Sequence, residues 1–149
     1  MVARIQRSFA IAILCFTLFF SLLISPAYAA GLSPAPESAK VYIISPSDGG
    51  TVSSSFLVQF GLSGMGIAPA GIDRPNTGHH HLLVDVDELP ALTEPLQASK
   101  QVLHYGAGQT ETELTLPPGN HTLQLILGNY SHIPHDRPVI SEKITVTVK

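Results

Sequence analysis

The chain has 149 residues, of which 44% are hydrophobic and 13% charged, with a formal net charge of −3 and one cysteine. A mildly acidic chain with no basic stripe is a poor partner for nucleic acid or for an anionic membrane. A lone cysteine excludes an internal disulfide framework.

The first 29 residues read as an export signal. Arg4 and Arg7 form a positive start, Phe9 to Ile24 an apolar run, and Ala27-Tyr28-Ala29 a small-x-small cleavage site. The run is shorter than a membrane-spanning helix requires, and no second one follows, so no span is expected after cleavage behind Ala29. Cleavage removes Cys15, Arg4 and Arg7 and leaves 120 residues with six Lys/Arg against eleven Asp/Glu, a charge of −5. The expected organisation is a signal over 1–29, a flexible Pro/Ser/Ala leader over 30–39 and one domain over 40–149, a length able to bury a single modest core.

Within that domain the signals are strand and turn. Val41 to Ile44 is β-prone, Ser45 to Gly50 is a turn cluster, and Phe56, Val58 and Phe60 alternate on one face of a second strand. Residues 61–78 carry five glycines and two prolines and read as a long irregular connection. His79 to Asp87 reads as a third strand with Leu82, Val84 and Val86 on one face and Leu83, Asp85 and Asp87 on the other. Glu88 to Gln97 is loop, Gln101 to Tyr105 a short edge strand, and Thr110 to Leu116 a further strand. Pro117-Pro118-Gly119 turns the chain into His121 to Leu127, where Leu123, Leu125 and Leu127 point inward. The stretch from Pro138 to Lys149 ends the domain with Ile140, Ile144, Val146 and Val148. Many short strands without an amphipathic helix predict an all-β fold, an immunoglobulin-like antiparallel β-sandwich of about seven strands.

All seven histidines lie between Gly78 and Asp136, five of them in Gly78-His79-His80-His81 and Ser131-His132-Ile133-Pro134-His135-Asp136. Neutral imidazole is the commonest protein metal ligand, so the clustering points to a metal site. Strand alternation puts His79 and His81 on one face, a usable chelate, and His80 on the core face with Leu82. Pro134 stiffens the loop that holds His132 and His135. If the third and penultimate strands are antiparallel neighbours, both clusters share one pole and His121 lies at the other, where it follows a corner turn and is expected to be structural. His104 precedes the Gly106-Ala107-Gly108 turn at a pole the strand order leaves open. The candidate metal ligands are therefore His79, His80, His81, His104, His132 and His135.

Ile44-Ser45-Pro46-Ser47-Asp48-Gly49-Gly50 and Leu116-Pro117-Pro118-Gly119-Asn120-His121 distantly resemble the exported copper-resistance sandwich domains of the CopC type. That likeness implies copper held by histidines at one end of the barrel. The copper ligand at the mature amino terminus of that family has no counterpart in Ala30-Gly31. A broader resemblance runs over Gly64 to Gly71, Asn76 to Leu83, His104-Tyr105-Gly106-Ala107-Gly108-Gln109-Thr110-Glu111 and the tail from His132 to Ser141. It is to a bacterial exported domain family of unknown function, some of whose members carry the label of a rod-shape-determining protein, a kind of polytopic membrane protein.

These readings combine into an exported bacterial domain, periplasmic or secreted, that binds a transition metal for storage, delivery or tolerance. An all-imidazole set suits Cu(II) first and Zn(II) second, and with Met65 the one methionine left after cleavage a soft Cu(I) site is disfavoured. Partners are the metal ion and an envelope protein. The rival readings are a histidine-ligated metalloenzyme and an envelope interaction module whose histidines only stiffen loops. No G-x-S-x-G, H-E-x-x-H or C-x-x-C occurs, so an enzyme is the less favoured class.

Overall fold

A computed structural model describes residues 32–149; the segment read as an export signal and the first residues of the expected leader lie outside the described residues. Among the described residues nine strands are formed: β1 (Lys40–Ser45), β2 (Gly50–Val52), β3 (Ser55–Ser63), β4 (Gly66–Ile67), β5 (Thr77–Val84), β6 (Val102–His104), β7 (Glu111–Thr115), β8 (Gly119–Gly128) and β9 (Ile144–Val148). There is no helix among the described residues. Consequently none is long and apolar enough to cross a membrane.

The strands make two sheets. One runs β1-β3-β7, the other β2-β9-β8-β5-β4, with β6 also paired to β5. Alternation within β3 and β8 turns Phe56, Val58 and Phe60 of the small sheet toward Leu123, Leu125 and Leu127 of the large one, and Leu82, Val84, Val146 and Val148 complete this core. Each of these side chains is no more than 8% exposed, the burial that drives two sheets face to face. Ile144, also expected inside, packs against the core while staying partly accessible. The fold is thus the all-β sandwich that the alternation predicts.

The count exceeds seven because two short pieces pair where turn chemistry alone suggests loop. Gly50–Val52 lies parallel to β9, and Gly66–Ile67 lies parallel to the start of β5. Both sit at sheet edges, where a few backbone groups gain partners that water would otherwise supply.

The outer face of the large sheet is also covered. Leu83 and Ile126, which point away from the main core, pack with Leu96 into a second apolar cluster, flanked by Val86, Leu92, Val102 and Ile140. The strand-free segment between β5 and β6 supplies its lid. Leu96 donates its backbone N–H to the carbonyl of His132 at 3.0 Å, tying that segment to the loop after β8. His79 and His81 share this outer face with Leu83, so they too are enclosed.

Candidate metal centre

Four of the candidate histidines meet. In β5, His79 and His81 are one pleat apart on the outer face, their ring centres 4.8 Å apart. The opposing strand β6 places His104 directly across from His81 in register. Its ring centre lies 5.1 Å from that of His81 and 5.0 Å from that of His79. One ligand nitrogen from each of His79, His81 and His104 falls within 4.8 Å of the other two. The loop after β8 swings His132 over the group, 4.7 Å from His104, 5.1 Å from His79 and 6.1 Å from His81 between ring centres.

Two glycines make the space. Gly128 lies opposite His79 in the β5–β8 ladder. A Cβ there would come within 2.7 Å of Cε1 of His81 and 3.2 Å of its Nδ1. A Cβ at Gly106 would collide with the His104 ring. The strongest strand therefore ends in a residue without a side chain where the imidazole must lie.

The loop is stapled by Asn129, whose Oδ1 accepts the N–H groups of Ser131 at 2.9 Å and Ile133 at 3.1 Å, while its Nδ2 donates to Ser33 Oγ. His132 sits at φ 68°, in the left-handed region that a non-glycine residue occupies only where its surroundings hold it. That turn aims its ring at the cluster.

The protonation state suits ligation. His79 and His81 are 0% exposed, and among the described residues neither Nδ1 nor Nε2 of either ring has a hydrogen-bond partner. Burial first, then the neighbouring imidazoles, push His79 down from 6.5 to about 4 and His81 to about 3, with the nearby His79 carbonyl acting on His81 in the opposite sense. His104, on the solvent side, is lowered by its smaller burial and by His132. Near neutral pH the two buried rings are uncharged and their lone pairs are free to ligate. Leaving buried polar atoms unmatched costs on the order of 1–3 kcal/mol each, which a bound ion would recover for the nitrogens it takes.

The other candidates are not brought to this point. His80 faces the main core, as strand alternation predicts, against Phe60 with ring centres 5.1 Å apart. Its Nδ1–H donates to the Gln109 carbonyl at 3.2 Å, while its buried Nε2 has no partner among the described residues. His135 does not join His132 in the cluster. The left-handed turn at His132 and the bridge from Gly128 to Pro134 turn His135 the other way. There its Nε2–H donates to the Thr77 carbonyl at 3.2 Å, and it lines a cleft of about 170 Å³ with Asp73 and Arg74.

His121 sits at the opposite end of β8, as the antiparallel pairing of β5 and β8 requires. Its Nδ1–H donates to Asp85 Oδ2 at 2.7 Å and its Nε2 lies 2.9 Å from the Pro117 carbonyl, the corner contact expected of it. The Asp85 partnership was not legible in the sequence. Asp85 directly follows β5 at φ 53° and also accepts the Thr122 N–H through Oδ1. The aspartate side chain tolerates that left-handed conformation, which was the available signal.

No curated protein matches this chain. Among solved structures, the X-ray structure of the endo-beta-1,4-mannanase from Thermotoga petrophila superposes with a TM-score of 0.45 at 17% identity over 74% of this chain. The match spans 20% of the mannanase chain, a small part of its length. A family described as "Domain of unknown function (DUF4399)" matches residues 58–149, which include every strand and loop that supplies a ring to the cluster, and the chain belongs to that family.

Proposed function

We propose that this chain is an exported domain that binds one transition metal ion, copper or zinc, through imidazoles at one pole of its sandwich, for storage, delivery or tolerance. The observation that carries the reading is the pair His79 and His81, fully buried and neutral with all four ring nitrogens unpartnered among the described residues. Their neighbours are other imidazoles rather than acceptors. A network that merely stiffened loops would satisfy those nitrogens, as both nitrogens of His121 are matched by the Asp85 carboxylate and the Pro117 carbonyl.

Calorimetric titration of the untagged protein with Zn(II) and Cu(II) is the test. One saturable site per chain is expected at neutral pH, lost in His79→Ala/His81→Ala and kept in His121→Ala. Absence of saturable binding to either ion would leave the buried rings as a structural oddity and end the proposal.

A further inference from the structure

We infer that the four rings form a closed tetrahedral centre, with His132 as the fourth ligand, so that the domain holds a zinc-like ion with no coordination position left for a substrate. The inference rests on the metal-binding reading above and goes beyond it in coordination number, geometry and consequence. An ion about 2.0 Å from each nitrogen, with each ring centre about 1.2 Å further out, puts every pair of tetrahedral imidazoles about 5.2 Å apart between ring centres. A square plane would instead give four pairs near about 4.5 Å and two opposite pairs near about 6.4 Å.

Five of the six observed separations lie between 4.7 and 5.1 Å, and the sixth, between His81 and His132, is 6.1 Å. In a plane with His81 opposite His132, His79 would have to stand opposite His104. Those two are 5.0 Å apart, far short of a square diagonal. The ring centres therefore match the tetrahedron rather than the plane; to close on an ion His132 moves toward His81 by about 1 Å, and the rings of His79, His81 and His104, whose ligand nitrogens lie within 4.8 Å of one another, turn to bring them to about 3.3 Å.

The chain is built to allow that motion and to limit it. His132 rides on a loop rather than on a strand, while His79, His81 and His104 are held by the paired strands β5 and β6. The same residue accepts the Leu96 N–H, so drawing it inward pulls on the lid over the outer face.

The consequence for chemistry is exclusion. A catalytic metal keeps an open position for water or substrate, whereas four protein ligands close the shell. Among the described residues the donor group consists of imidazoles alone, without a carboxylate to serve as base. Tetrahedral coordination suits Zn(II), which has no geometric preference from its d electrons, and strains Cu(II), which favours a tetragonal set. Ring placement thus sets zinc ahead of copper, opposite to the order that the ligand type alone suggests.

Cobalt(II) substitution tests this. The untagged protein should take up one Co(II) per chain with the intense visible bands of a four-coordinate tetrahedral ion, and added azide should leave those bands unchanged. In His132→Ala the Zn(II) affinity should fall by about 10- to 100-fold or more, at least the effect of losing an outer-shell partner, and the Co(II) bands should become azide-sensitive because a position has opened. Weak octahedral-type bands, an azide response in the unaltered protein, or unchanged affinity in His132→Ala would each overturn the closed tetrahedron while metal binding itself stood. No saturable uptake of Co(II), Zn(II) or Cu(II) would overturn both.

Discussion

Gly128 carries no side chain because the His81 ring occupies the space one would fill. Gly128→Ala should push that ring off the cluster, weaken metal affinity at least tenfold and cost about 1–3 kcal/mol of stability by overpacking, both readable from calorimetry and thermal melting. His121 offers the contrast: His121→Ala removes the contacts to Asp85 and Pro117, should cost about 1 kcal/mol, and should leave metal affinity unchanged. The two poles also titrate with opposite sign. His79 and His81 are lowered from 6.5 to about 4 and about 3, so between those values the unfolded chain binds more protons. Their contribution is at its best above about pH 6.5 and declines as the pH falls below it toward 3. His121 is raised, chiefly by its hydrogen bond to Asp85, so its contribution is complete below pH 6.5 and disappears as the pH rises through its folded value. Urea melts of the metal-free protein from pH 4 to 8 should show stability rising with pH up to about 6.5 and then a decline above it that is absent in His121→Ala. A flat profile would contradict the assigned burial.

At the scale of elements, the loop after β8 decides whether the fourth ring reaches the cluster. Asn129 holds it with two accepted N–H bonds and one donated bond, so Asn129→Ala should destabilise by about 1–3 kcal/mol and reduce metal affinity by freeing His132, although Asn129 touches no ligand nitrogen. Binding should in turn quiet the lid. Amide exchange at Leu96, whose N–H is held by the His132 carbonyl, should slow on adding Zn(II) and should not slow in His132→Ala. Exchange that is equal with and without the ion would mean that the lid and the site are uncoupled.

Across the whole molecule, an ion that binds only the folded state should raise stability by about 2.7 kcal/mol at one hundred times its Kd, seen as a melting temperature that climbs with Zn(II) concentration. The sandwich, its turn-bounded strands, the inward leucines of β8 and the separation of His79 and His81 from His80 were all legible in the sequence. They follow from side-chain alternation and turn chemistry, which depend only on near neighbours along the chain. What local pattern cannot carry is which strand lies beside which and what covers an outer face. His104 joins the cluster because β6 pairs with the free edge of β5 in the register that sets it across from His81. His135 leaves the group because one left-handed residue and one bridge turn the loop beyond His132. The face that alternation marks as solvent-side is enclosed because Leu96 of a distant loop packs on Leu83 and Ile126. Composition and spacing thus determined that imidazoles would cluster on a strand and on a loop, whereas their meeting at one pole, their number, their geometry and their burial were decided by tertiary structure, since contacts between residues far apart in sequence exist only once the sheets have formed.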